Sequence, residues 1–287
     1  MQIIVQDFTG VYSEQPFMQG LRDSARRLEQ GAKLEGAEQI RWLDCTQIAG
    51  TDCYCDDEAV AEINKLIDES LCCDCGTESA TPPAIHFFDN GNYHYMSKLW
   101  TDRIQEPFDL VVFDHHPDMQ PPRFGDILSC GGWVKKVLEE NKFVRNTILI
   151  GVADHLVEEL QEDFASLGDR AMRLTIVKES ELSSFNPRTL SPEPRTSSLY
   201  LSIDKDVLSP ADAATNWDQG SLTFETMTAI ISDLARNRKI LGVDICGERA
   251  QEFKPIENGA QTAQEADELN NKLNQELVDF LAGSRRL

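Results

Sequence analysis

The run Leu110-Val111-Val112-Phe113, followed at once by Asp114-His115-His116-Pro117-Asp118, constrains this chain more than any other stretch. A continuous Leu/Val/Phe run suits a central parallel strand covered on both faces, because side chains on either side of it must be buried. The run ends in two carboxylates and two imidazoles. In open α/β sheets ligands bind outside the carboxyl ends of the strands, so these polar residues fall where chemistry is usually done. If the chain stays extended, Asp114, His116 and Asp118 share one face, with His115 and Pro117 on the other. Three oxygen and nitrogen donors on one face make half of a metal site. An acidic, solvated strand end with a helix cap is the plainer alternative.

The rest of the chain supplies the other strands of such a sheet. Short apolar runs at Ile3–Val5, Gln39–Leu43, Ile85–Phe88, Phe108–Phe113, Thr147–Val152, Arg173–Val177, Leu199–Ile203 and Ile240–Ile245 read as strands. Helical patterns fall between them, at Phe17–Leu28, from Asp56, at Tyr93–Ile104, Trp133–Leu138, Leu156–Leu167, Thr223–Ala235 and Ala263–Leu281. Strands alternating with helices predict an α/β fold with a mostly parallel, doubly wound sheet and right-handed crossovers. No repeat or linker divides the 287 residues, so a single domain over Met1–Leu287 is expected.

The formal charge of −22 argues against nucleic acid and anionic membrane surfaces as partners. A cationic small-molecule substrate is compatible with it; solubility is the plainer explanation. No apolar run is long enough for a membrane span, and the first residues lack a basic, cleavable leader. The expectation is a cytoplasmic protein, with a homo-oligomer left open. The eight cysteines do not make a disulfide scaffold for a chain this long, and a reducing compartment keeps them as thiols. Cys53, Cys55, Cys72, Cys73 and Cys75 crowd into one region, but CYC and CCDC are not usual zinc spacings. An incidental thiol cluster or a labile disulfide is the expectation there.

Two further strand ends carry candidate ligands. Asp204 and Asp206 lie two apart in Ser202-Ile203-Asp204-Lys205-Asp206, and His94 follows a strand in Gly91-Asn92-Tyr93-His94-Tyr95. Together with Asp114, His116 and Asp118 they make four carboxylates and two imidazoles with no thiolate. Such a set suits a hard to borderline divalent ion, Mn²⁺ before Zn²⁺ or Fe²⁺. Six ligands are too many for one catalytic ion with open positions, so two ions sharing carboxylates fit better. Their charge would cancel that of the carboxylates, which otherwise repel one another and rise in pKa.

These residues resemble a family. DHHPD is similar to the DAHxD motif of the arginase/agmatinase/formimidoylglutamase (ureohydrolase) superfamily, SIDKDVLSP to its SxDxDxxDP motif, and GNYHY stands where the family has GGDHS. Their order and spacing agree, and GSLTFETM resembles a later family segment. The resemblance implies a three-layer α/β/α fold with an eight-stranded, mostly parallel sheet. It implies two Mn²⁺, one held by His94, Asp114, Asp118 and Asp204, the other by His116, Asp114, Asp204 and Asp206, with Asp114 and Asp204 bridging. It also implies a metal-dependent hydrolase in which a metal-bridging hydroxide, oriented by Asp118, attacks a guanidino, amidino or related amide carbon and cleaves its C–N bond.

The chain departs from the family at places that bear on substrate. His115 replaces Ala, and Tyr93 and Tyr95 replace the Asp and Ser of GGDHS. Cys130 stands where arginases have a proton-transferring His, either as a small packing residue or as a site-lining thiol. The guanidinium-binding Glu of the DxxE pattern is one residue late, in Asp244-Ile245-Cys246-Gly247-Glu248, with Gly247 at the expected position. The candidate catalytic residues are therefore Asp118, Glu248 and Cys130, and arginase activity proper is not expected. Asp154 is either a pocket acid or a helix N-cap. Two other readings stay open: a mononuclear zinc, deacetylase-like amide hydrolase, and a non-catalytic metal-binding member of the fold.

Overall fold

The computed structural model describes residues 2–30, 40–71, 84–122, 125–160, 167–189 and 197–283. Ten strands form: β1 (Gln2–Asp7), β2 (Ile40–Asp44), β3 (Tyr54–Cys55), β4 (Ala84–Phe87), β5 (Phe108–Phe113), β6 (Leu128–Ser129), β7 (Val144–Val152), β8 (Leu174–Lys178), β9 (Ser198–Asp204) and β10 (Lys239–Cys246). Eight of them make one sheet in the order β2-β1-β4-β10-β9-β5-β7-β8, with every neighbouring pair parallel. The expected eight-stranded α/β sheet is therefore present. A two-stranded antiparallel ribbon, β3 with β6, lies apart from it and was not anticipated.

The helices are α1 (Pro16–Glu29), α2 (Asp57–Leu71), α3 (Met96–Thr101), α4 (Trp133–Glu140), α5 (Asp154–Glu159), α6 (Phe224–Leu234) and α7 (Ala263–Gly283). They cover both sheet faces. Met18 and Leu21 of α1, Met227 and Ile231 of α6 and Leu273 and Leu277 of α7 share one core with Val111 and Phe113. Ile63 of α2, Met96 of α3 and Val134 and Val137 of α4 share the other core with Leu110 and Val112. The unbroken apolar run of β5 is thus explained, since successive side chains enter two different cores.

Two helical expectations change. The segment Tyr93–Ile104 is not one helix: a 3₁₀ turn at Gly91–Tyr93 precedes α3. The Asn90 side chain accepts the Asn92 N–H and closes that tight turn. The helix expected from Leu156 begins at Asp154 and is described only to Glu159; residues 161–166 lie outside the described residues. So do Cys72, Cys73 and Cys75 of the thiol cluster.

One buried ion pair ties the last helix to the sheet edge. The Lys205 ammonium sits 2.5 Å from Glu248 Oε1, with both side chains out of water. Gln15 donates to Glu248 Oε2 at 2.8 Å, Asn270 donates to the same oxygen at 2.9 Å, and Asn274 donates to Oε1 at 2.8 Å. Each carboxylate oxygen thereby has two donors, which is what a buried charge needs. Lys205→Met alone should cost about 3–5 kcal/mol, because it leaves the carboxylate buried and unpaired. Lys205→Met combined with Glu248→Leu should recover much of that loss in equilibrium denaturation.

Candidate metal centre

The carboxyl ends of β9 and β5 and the turn after β4 line one cavity of about 600 Å³. His94, Asp114, His116, Asp118, Asp204 and Asp206 all line it. The structure therefore brings the six expected ligand residues together. His94 Nδ1 lies 3.1 Å from Asp114 Oδ2, 3.1 Å from Asp118 Oδ2 and 3.6 Å from Asp204 Oδ2. His116 Nδ1 lies 2.9 Å from Asp206 Oδ2 and 3.5 Å from Asp114 Oδ1. Asp114 thus turns one oxygen toward each imidazole. Asp204 is less symmetric: its Oδ2 faces His94, while its Oδ1 accepts the Asp206 N–H at 3.0 Å.

The surroundings fix these side chains. His94 Nε2 meets Ser202 Oγ at 2.8 Å, and that hydroxyl meets Ser97 Oγ at 2.8 Å. This leaves Nδ1 facing the carboxylates. Trp133 donates its indole N–H to Asp118 Oδ2 at 2.6 Å. His115 N–H donates to Asp206 Oδ1 at 3.0 Å, and His116 Nε2 lies 3.1 Å from Asp218 Oδ1. Asp118 has φ +50°, a left-handed conformation uncommon for a side chain with a Cβ. The chain after Phe113 is therefore not an extended strand. Asp118 reaches the cluster through this turn rather than by the alternation expected from the sequence.

The cluster is electrostatically crowded. Burial, then Asp206 and Asp114, push the Asp204 carboxyl up to about 7. Burial and Asp114 push Asp206 up to about 6 against the His116 hydrogen bond. Burial disfavours imidazolium at His94, but Asp114 and Asp118 outweigh it and raise that pKa well above the usual range. Asp114 Oδ2 is buried and, although His94 Nδ1 lies 3.1 Å away, makes no well-aligned hydrogen bond among the described residues. A bound cation answers both features, since it would satisfy that oxygen and neutralise its neighbours. The donor atoms of His94, Asp114 and Asp118 lie within 4.8 Å of one another, as do those of Asp114, His116 and Asp206. The residues present fit two divalent ions that share Asp114.

One neighbour escaped the sequence reading. Cys246, the last residue of β10, pairs in register with Asp204 and donates its thiol to Asp204 Oδ2 at 3.2 Å. Its sulfur falls within 4.8 Å of the donor atoms of His94 and Asp204. Its place at the end of a central strand was the available signal.

Of the catalytic candidates, Asp118 and Cys130 line the cavity. Glu248 does not, and this overturns its expected place in the pocket. Gly247 has φ +91°, and a Cβ there would come within 2.4 Å of Asp204 Oδ1. No side chain fits at the position where the family resemblance expects the acid, and the next residue turns away into the Lys205 pair. Asp154 is likewise no pocket acid. It opens α5, and Ser180 donates to it through Oγ at 2.6 Å and through its backbone N–H at 3.1 Å.

Comparison with known proteins agrees with this geometry. The family model described as Arginase family matches residues 92–271. A Thermotoga maritima protein described only as uncharacterized is 27% identical over 246 residues, covering 86% of this chain and 79% of that one. Agmatine ureohydrolase of Thermoplasma volcanium superposes with a TM-score of 0.59 at 14% identity, covering 97% of this chain and 88% of that one. Proclavaminate amidino hydrolase from Streptomyces clavuligerus superposes with a TM-score of 0.59 at 17% identity, covering 99% and 92%. At such identities the superpositions speak for the shared fold. If Ser202 holds the His94 ring in place for an ion, Ser202→Ala should weaken Mn²⁺ binding about 10- to 100-fold in calorimetric titration.

Proposed function

Because this chain belongs to the arginase family, we propose that it is a binuclear, metal-dependent hydrolase that cleaves a C–N bond of a small substrate. The observation that carries this reading is the placement of Asp114, one oxygen toward His94 and the other toward His116, on the floor of the cavity. One ion would be held by His94, Asp114, Asp118 and Asp204. The other would be held by His116, Asp114, Asp206 and, if Asp204 turns its second oxygen, Asp204. The oxygen-rich set favours Mn²⁺, while the nearby Cys246 sulfur keeps Zn²⁺ and Fe²⁺ in play. Such ions would supply Lewis acidity and a hydroxide nucleophile near neutral pH for attack on an sp² carbon.

The chain's own residues do the rest. Asp118, held by the Trp133 indole, orients the attacking water through its remaining carboxylate capacity. Tyr54, Leu156, Leu160, Pro117, Pro121 and Trp217 wall the cavity. Cys130 is a poor proton carrier, because its hydrogen bond with Cys53 and its burial raise the thiol pKa strongly. With Glu248 engaged by Lys205, no carboxylate stands where the family pattern would anchor a guanidinium. The reading therefore favours an amidine or a related amide over arginine. It treats residues 1–287 as one domain, and the protein as cytoplasmic. Among the described residues no helix is long and apolar enough to cross a membrane.

Titration of metal-free protein should give two Mn²⁺ per chain, and Asp114→Ala should lose both. The manganese-loaded protein, offered guanidino, amidino, formimino and acetylated amines, should release ammonia, urea or the free amine from at least one. Full turnover by one tightly bound zinc would instead favour a mononuclear deacetylase-like enzyme. Two bound ions with no turnover across the panel would favour a non-catalytic metal-binding protein.

A further inference from the structure

We propose that Cys53 and Cys130 are a redox-modification site in the cavity wall, oxidised to a disulfide by a hydroperoxide. The β3–β6 ribbon pairs Tyr54 with Ser129 and Cys55 with Leu128, antiparallel. Cys53 and Cys130 flank one end of this ribbon, where Cys53 turns into the left-handed region at φ +58° and the Cys130 N–H donates to its carbonyl at 2.9 Å. That backbone bond holds the two Cα atoms at a distance of roughly 5.5 Å, as in a hydrogen-bonded cross-strand pair. That lies inside the roughly 4.4–6.8 Å that disulfides span.

Reach and chemistry agree with the spacing. Both residues line the cavity and are only half-buried, whereas Cys45, Cys55 and Cys246 are buried. The two thiols lie within hydrogen-bond reach of each other. A hydrogen bond between them lowers the Cys53 pKa against burial and Asp52. The same bond, with burial and Asp118, raises Cys130. A thiolate is the nucleophile toward peroxides, so the pair divides into an attacking and a resolving cysteine.

The steps balance. Cys53 thiolate attacks the peroxide oxygen, the O–O bond breaks, and water or an alcohol leaves after protonation. Cys53 is now a sulfenic acid. Cys130 sulfur then attacks Cys53 sulfur, the S–O bond breaks, and the thiol proton leaves with hydroxide as water. One peroxide is reduced for each disulfide formed, and a thiol reductant reverses the change.

The location gives the bond a consequence. Cys130 opens the 3₁₀ turn Cys130–Gly132 that leads directly into Trp133, and Trp133 holds Asp118. Within the turn, Gly131 accepts the Gln120 N–H at 2.8 Å. A cross-link at Cys130 therefore fixes the wall that carries the Asp118 contact. The proposal does not depend on the hydrolase reading, because its test reads the cysteines themselves.

The full-length protein, freshly reduced, is treated with hydrogen peroxide, alkylated and mapped by non-reducing digestion and mass spectrometry. The expected product is a peptide pair joining Cys53 to Cys130, lighter by two hydrogens and separated by dithiothreitol. Cys130→Ser should instead accumulate a dimedone-reactive sulfenic acid at Cys53, and Cys53→Ser should leave Cys130 unlabelled. Absence of the Cys53–Cys130 link in the wild-type protein would overturn the proposal. So would linkage of Cys53 to Cys72, Cys73 or Cys75 in its place.

Discussion

Four carboxylates share a few ångströms of buried space with two imidazoles, and much of the structure around the cavity is arranged to tolerate that. Asp114, Asp118, Asp204 and Asp206 are nearly excluded from water. Burial first, and then the neighbouring carboxylates, disfavour the ionised forms of Asp204 and Asp206 and raise their pKa values. Imidazole contacts offset part of this, yet Asp114 Oδ2 makes no well-aligned hydrogen bond among the described residues. Glycines clear the remaining room. A Cβ at Gly91 would approach Asp204 Oδ2 to 2.9 Å, and one at Gly247 would approach Asp204 Oδ1 to 2.4 Å. Close backbone approach of this kind is a common reason for glycine at a site.

The same neighbourhood explains how this chain departs from its family pattern. Gly247 cannot carry an acid without striking Asp204, and the acid has moved on by one residue. There it is answered by a buried lysine that sits between the two aspartates of the β9 motif. Lys205 and Glu248 therefore read as a coupled change: a carboxylate that could have faced a cationic substrate is paired internally and braced by α7. The cavity keeps its ligand residues, and the carboxylate that lines it beyond them is Glu159 rather than Glu248. Substrate choice should then rest more on shape, through Trp217, Tyr54 and the prolines, than on the Glu248 charge.

The parts of this architecture set by local pattern were legible in the sequence. Apolar runs located the eight strands of the main sheet, because a strand buried on both faces has a continuous signature. Asp114, His116, Asp204 and Asp206 were legible because strand ends in α/β sheets collect ligands. His94 was found through its motif, although the helix expected around it proved to be a 3₁₀ turn and a short helix. What escaped depends on contacts between distant segments, which leave no local period. The Lys205–Glu248 pair needs Gln15, Asn270 and Asn274 from opposite ends of the chain. The Cys53–Cys130 pairing needs a two-residue ribbon too short to announce itself. Asp118 was assigned correctly to the cluster for an incorrect reason, since its backbone is left-handed rather than extended.

Diffraction from crystals grown with Mn²⁺, measured for its anomalous signal, tests the central claim most directly. The account predicts two peaks on the cavity floor, one among His94, Asp114 and Asp118, the other among His116, Asp114 and Asp206, with Asp114 touching both. An empty floor at saturating Mn²⁺, or ions bound only away from Asp114, would contradict it.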